Sequence, residues 1–269
     1  MGNRIGLELA GLTDPGLMRA QNEDAIALGT PDRFIILADG MGGYNAGEVA
    51  SSIATKVVYG ALDQSPDLAQ TVPPGSTAVR ALLVRAFQQA NSAILEAARA
   101  EPAYHGMGTT LVAAVFHGDE VTVAHVGDSR AYRLREGELR QITRDHSLLQ
   151  EQIDAGLITP ELARFSSSKN LVTRAVGVAG DLDVEVHGHR VQAGDIYLLC
   201  SDGLTDMLSD TEVLEVMLRE GSLDDMCRSL VQRANSNGGL DNISVVLAKV
   251  TATGTETPRL LDRIRNWVG

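Results

Sequence analysis

The chain has 269 residues, enough for one large core or two modest ones, and no linker-like stretch divides it, so a single core is expected. Its 44% hydrophobic and 22% charged content is that of a globular protein, and with only 4% aromatic residues the core must be aliphatic. A formal net charge of −12 argues against nucleic acid or an anionic membrane surface as the main partner, because both call for clustered Lys and Arg.

Taken in chain order, residues 4–12 and 25–29 read as short strands flanking a polar loop that carries Arg19 and the run Asn22-Glu23-Asp24. A third strand at 33–38 is a continuous apolar run, the pattern of a strand buried on both faces. Residues 46–61 place small and apolar side chains at helical spacing. The proline-bearing stretch 63–75 is a surface connection, and Ser76 can cap a long helix to about residue 100, with Leu82, Leu83, Phe87, Ala90, Ile94 and Leu95 as its apolar stripe. From Thr109 the period becomes two: strands are expected at 110–116, 120–126, 130–135 and 138–142, with turns at His117-Gly118-Asp119 and Arg135-Glu136-Gly137. A short helix at 148–156 leads into a less regular stretch to 176. Strands return at 184–191 and 195–200, helices at 211–220 and 223–235, and a strand at 243–250 closes the domain. Residues 251–269 form a tail with a candidate short amphipathic helix at 259–268. Many antiparallel strands with two long helices inserted after the third point to an α+β sandwich with helices over its outer faces.

Two cysteines, Cys200 and Cys227, are too few for a disulfide framework and read as reduced packing residues. The N-terminal residues lack the apolar stretch of a signal peptide, position 6 is Gly where myristoylation prefers Ser or Thr, and no apolar run approaches membrane-spanning length. The expectation is a cytoplasmic protein with no membrane partner.

Two distant segments share one design. Phe34-Ile35-Ile36-Leu37-Ala38-Asp39-Gly40 and Ile196-Tyr197-Leu198-Leu199-Cys200-Ser201-Asp202-Gly203 are each an apolar run ending in Asp-Gly, and Leu240-Asp241-Asn242 precedes another apolar run. Asp-Gly is the commonest turn dipeptide, so each alone reads as a turn. Asp39, however, is followed by Gly40-Met41-Gly42-Gly43, more glycine than a turn needs, and glycine lets backbone approach a ligand closely. Three carboxylates at strand ends are most simply held together by divalent cations. Aspartates suit the hard ions Mg²⁺ and Mn²⁺, and zinc fits poorly because no His or Cys cluster is visible.

Together with Arg19 and Asn22-Glu23-Asp24, Met107-Gly108-Thr109-Thr110, Gly127-Asp128-Ser129-Arg130, Asp145-His146-Ser147, Ser201-Asp202-Gly203-Leu204 and Asp241-Asn242-Ile243-Ser244, these segments resemble the metal-dependent protein phosphatases, the PPM or type 2C family, of bacterial single-domain type. The resemblance implies two packed antiparallel β-sheets flanked by helices on both sides, and a phosphatase domain over residues 1–250 with a flap at about 148–176 bordering the site.

It further implies a serine/threonine phosphoprotein phosphatase needing two Mn²⁺ or Mg²⁺ ions, with room for a third. Phosphorylated proteins, including a cognate kinase, would be its partners. Asp39 would bridge two metals, the Gly40 carbonyl would serve one, Asp202 and Asp241 the other, and Asp128 with Asp202 a third. Glu23 and Asp24 would hold water beside the metals, Arg19 would grip phosphate, and a water bridging the ions would attack phosphorus directly. Met41 stands where many eukaryotic members have a histidine proposed as the acid. His146 reads as structural, and His105, His117, His125, His187 and His189 show no ligand spacing. The competing readings are a non-catalytic phosphoprotein- or kinase-binding adaptor, a small-molecule phosphatase on the same centre, and a partner-switching phosphatase.

Overall fold

A computed structural model describes residues 6–29, 33–43, 46–65, 68, 77–159, 162 and 171–251. Two antiparallel sheets pack face to face. The first, in spatial order, holds β1 (Gly6–Asp14), β11 (Ile243–Thr251), β10 (Ile196–Cys200), β7 (Arg130–Arg135) and β8 (Glu138–Gln141). The second holds β2 (Asp24–Leu28), β3 (Phe34–Met41), β5 (Leu111–His117), β6 (Glu120–Val126) and β9 (Glu185–Arg190), and the two-residue β4 (Gly108–Thr109) pairs with the end of β3.

The continuous apolar runs follow from burial on both faces. On β3, Ile35 and Leu37 point between the sheets with Val112, Ala114, Val123, Tyr197, Leu199 and Val246, whereas Ile36 and Ala38 point outward. The outward set is covered by α1 (Ala46–Asp63) and α2 (Thr77–Ala100), the latter through Leu83, Phe87, Ala90 and Ile94. The opposite outer face carries α5 (Asp210–Met217) and α6 (Leu223–Ser236), which bury Val213, Met217, Cys227, Leu230 and Val231 against β10 and β11. The expected α+β sandwich with helices on both outer faces is therefore the observed one. Cys200 and Cys227 are buried and unpaired, as expected.

Element bounds differ from the sequence expectations by small shifts with local causes. Helix α5 starts before residue 211 because Ser209 and Glu212 form a capping box, and Ser222 with Asp225 repeats it on α6. Three short pieces escaped the sequence reading: β4, a 3-10 turn at Pro102–Tyr104, and α4 (Asp202–Thr205). The short helix expected at 148–156 is α3 (Leu148–Asp154), capped by the Ser147 side chain. Ser76, most of the 63–75 connection, Ser166, Ser167 and Ser168, and the segment 259–268 expected as a tail helix lie outside the described residues.

Candidate metal centre

Antiparallel register gathers one end of the sandwich. Asp24 opens β2 opposite Asp39 near the end of β3, Leu111 opens β5 opposite Val126 at the end of β6, and Cys200 ends β10 opposite Val245 near the start of β11. Asp128 follows β6, Asp202 follows β10 and Asp241 precedes β11, so five carboxylates from distant segments meet there. Asp39 does not leave its strand as expected: β3 continues through Gly40 and Met41, because the peptide after it pairs with β4.

Backbone and hydroxyl groups fix Asp39. Its N–H donates to Thr110 Oγ1 at 3.0 Å, and its carbonyl accepts from Thr109 Oγ1 and the Thr110 N–H, both at 2.8 Å. Behind it, Gly40 lies so near α1 that a Cβ there would stand 2.1 Å from the Gly47 carbonyl oxygen and 2.6 Å from that of Glu23. Gly47 is constrained from the other side, since its Cβ would meet Glu23 Oε1 at 2.6 Å. Gly40 and Gly47 thus let α1 approach the end of β3 closely enough for the Gly47 N–H to bond the Glu23 carboxylate.

Ser201 precedes α4 without a side-chain capping bond and instead ties Asp24 to β11. Its hydroxyl donates to Asp24 Oδ2 at 2.9 Å and accepts from the Ser244 N–H at 2.9 Å. Asn242 joins β11 to the Arg19 loop: its amide donates to the carbonyls of Pro15 at 3.0 Å and Gln21 at 2.8 Å, while its oxygen accepts from the Glu23 N–H at 2.8 Å. Leu17 N–H donates to the Gly239 carbonyl at 2.8 Å. With the loop so held, Arg19 Nη2 bonds Asp241 Oδ2 at 2.7 Å. Where a simple ion pair for Arg19 would have been sought at nearby Glu23, the partner is Asp241, brought close by folding across 222 residues.

The charge is heavily one-sided. Burial holds Asp39 well above the usual carboxylate range, and Asp24, Asp202, Asp128 and Asp241 add to it. Burial, then Asp128, Asp206 and Asp241, pushes Asp202 up to about 8. Asp24 and Asp128 are raised chiefly by burial, Asp24 against the opposing bonds from Ser244 and Ser201. Arg130, two residues from Asp128, is bound by Asp145 at 2.6 Å.

Such a set fits divalent cations. The donors are hard oxygens, Asp24 Oδ1 is buried without a hydrogen-bond partner among the described residues, and the repulsion needs positive charge. Among the described residues no three of these carboxylates bring donor atoms all within 4.8 Å of one another. That spacing suits a basin for more than one ion and its waters better than a single tight chelate.

Sequence reasoning missed Asp206, which neighbours Asp202 and Asp128 and whose N–H donates to the Asp202 carbonyl at 2.7 Å. Its signal was the four-residue step from Asp202, legible only once α4 is known to exist. Met41 pairs with Gly108. Both ends of the segment 148–176 are fastened: Leu148 N–H to the Leu171 carbonyl at 2.9 Å, Thr173 N–H to that of His146 at 2.8 Å, and Val176 N–H to that of Thr109 at 2.9 Å. The histidines depart most from expectation. The absence of ligand spacing in the sequence does not survive folding, because His125 and His146 stack with ring centroids 4.7 Å apart and Glu185 joins them.

Known proteins share this architecture. The chain is 42% identical over 244 residues to the serine/threonine protein phosphatase PstP of Mycobacterium tuberculosis, covering 91% of this chain but only 45% of that relative. It is 38% identical over 240 residues to the serine/threonine phosphatase stp of Listeria monocytogenes, covering 88% of this chain and 93% of that one. The crystal structure of the PstP catalytic domain, in complex with two manganese ions, superposes with a TM-score of 0.81 at 40% identity, covering 93% of this chain and 100% of that one. Residues 19–247 match the family model described as protein phosphatase 2C, and the chain belongs to that family.

Proposed function

We propose that this chain is a metal-dependent serine/threonine phosphoprotein phosphatase, hydrolysing phosphomonoesters by direct attack of water. One observation carries the reading: Asp24, Asp39, Asp128, Asp202 and Asp241 converge at one end of the sandwich with Arg19 beside them. Relatives matched over 88% and 93% of this chain carry the names serine/threonine phosphatase and protein phosphatase, which supports it.

In this reading Asp39, Asp202, Asp241 and the Gly40 carbonyl would hold two Mn²⁺ or Mg²⁺ ions, and Asp128 with Asp202 would hold a third. When bound, these ions supply Lewis-acid activation of water and neutralise the charge of the phosphoryl group. The remaining tasks fall to side chains. Glu23 and Asp24 orient water by accepting its hydrogens; Ser201 aims Asp24, and the Gly47 N–H steadies Glu23. Arg19 is half-exposed, so its planar fork can present N–H donors to phosphate oxygens while Asp241 steadies one of them. With methionine at position 41, the leaving-group proton has to come from water or from another group.

Residues 1–250 form the phosphatase domain and about 148–176 the flap; β11 closes the sandwich at Thr251, and the flap's fastened ends border the Thr109 backbone beside Asp39. The partners are phosphorylated proteins, among them a kinase that this chain opposes. The proposed compartment is the cytoplasm, with which two buried, unpaired cysteines agree; no helix among the described residues is long and apolar enough to cross a membrane. An adaptor would tolerate loss of a carboxylate here, and every expected acidic position is intact.

The test is phosphate release from a phosphothreonine peptide by chelator-stripped protein, titrated with Mn²⁺ and then Mg²⁺, beside Asp202→Asn. Release that requires metal and disappears in the variant supports the reading. Metal binding without release overturns it in favour of the adaptor.

A further inference from the structure

A second cluster, built on different side chains from the carboxylate centre, lies at the open edge of the larger sheet. Register places His125 on β6 directly opposite Glu185 on the edge strand β9, and the loop carrying His146 folds over them. One donor atom from each of His125, His146 and Glu185 lies within 4.8 Å of the other two. His125 and His146 stack nearly parallel, and His187 continues the stack with its centroid 6.3 Å from His125.

The hydrogen bonds show which atoms are free. His125 Nε2 meets the Arg144 carbonyl at 2.8 Å, which fixes its proton there and leaves the Nδ1 lone pair. That atom is fully buried and has no partner among the described residues. His146 Nδ1 accepts from the Gly127 N–H at 3.2 Å, so its Nε2 carries the proton toward Glu185 Oε2 at 3.1 Å. The other oxygen, Glu185 Oε1, meets His187 Nε2 at 2.6 Å. Two imidazoles and a carboxylate therefore lie close together, and one buried imidazole nitrogen, His125 Nδ1, is left without a partner among the described residues.

We propose that His125, His146 and Glu185 form a transition-metal site, best suited to zinc, separate from the carboxylate centre. Two imidazole nitrogens and one carboxylate are a zinc donor set, and they leave a fourth position for water or His187. Zinc–nitrogen bonds of about 2.0–2.1 Å put tetrahedral donors about 3.4 Å apart, and in-plane lone pairs must point at one ion, so on binding the His146 ring turns out of its parallel stack on His125 and the cluster draws in by up to about 1.5 Å. Coordination at His146 Nε2 moves that ring's proton to Nδ1, where it faces the Gly127 N–H. The turn presenting Asp128 must then shift, so zinc here would be felt at the carboxylate centre.

The inference stands apart from the phosphatase reading, and its test does not use turnover. Zinc is titrated calorimetrically into the chelator-stripped Asp39→Asn/Asp202→Asn chain, in which the carboxylate centre is disabled. The expected result is one equivalent of bound zinc, with affinity lowered at least about tenfold by Glu185→Gln and by His125→Gln in the same background. Glu185 is half-exposed on an edge strand, so its variant keeps the fold even where the buried His125→Gln does not. No zinc binding in the parent background, or full affinity retained in Glu185→Gln, overturns the proposal.

Discussion

Asp24 and Asp39 stand directly opposite each other across the β2–β3 ladder. Like charges in that position are destabilising, and burial sharpens the conflict. The metal-free protein therefore favours protonated carboxylates at Asp24, Asp39 and Asp202, each raised chiefly by burial. Between the ordinary carboxylate value of 3.8 and about 8 at Asp202, the folded state binds more protons than the unfolded chain, so stability falls as pH rises through that window. Thermal melting in chelator should show a higher Tm near pH 5.5 than near pH 8. Saturating Mn²⁺ should reverse that order, because the ions bind the ionised form.

The same conflict sets the sign for Asp202→Asn. Removing one of the repelling charges should raise the metal-free Tm at pH 8 by a few degrees, about 1 kcal/mol. It should also remove most of the Tm gain that Mn²⁺ confers on the wild type. A variant that melts lower without metal would contradict the repulsion argument; differential scanning fluorimetry with and without Mn²⁺ decides it.

Asn242 carries three hydrogen bonds that hold the Arg19 loop to β11. Asn242→Ala strands the carbonyls of Pro15 and Gln21 and the Glu23 N–H, and should cost about 2–4 kcal/mol in chemical denaturation. Arg19 then loses its bearing on Asp241, so KM for a phosphopeptide should rise beyond what the stability loss explains.

Arg19 itself distinguishes charge from geometry. Arg19→Ala should lower kcat/KM for a phosphothreonine peptide by about 10- to 100-fold, the scale of a charge-assisted bond. Arg19→Lys keeps the charge but not the fork, and should recover only a part of the loss. Full recovery by lysine would mean that the planar contact contributes nothing.

Much of this was legible in the sequence because the signals are local. The run ending at Asp39-Gly40 declares a strand buried on both faces, and the period change after Thr109 declares hairpins; both are present. What was not legible depends on register. That Arg19 meets Asp241, that Asn242 supports the Glu23 backbone, and that His125, His146 and Glu185 converge all require strands far apart in sequence to be paired first. The histidines are the instructive case, since ligand spacing along one chain segment says nothing about ligands brought in from β6, β9 and a loop. Asp206 was hidden for a smaller reason: α4 is one turn long, too short for any periodicity to announce it.

The central claim is that the carboxylates around Asp39 form a metal centre on which turnover depends. The most direct measurement is Mn²⁺ stoichiometry by equilibrium dialysis on chelator-stripped wild type and Asp39→Asn, with phosphate release from a phosphothreonine peptide followed in the same samples. The account expects about two ions per wild-type chain, with loss of bound manganese and of release together in the variant. Undiminished manganese binding or undiminished release in Asp39→Asn would contradict it.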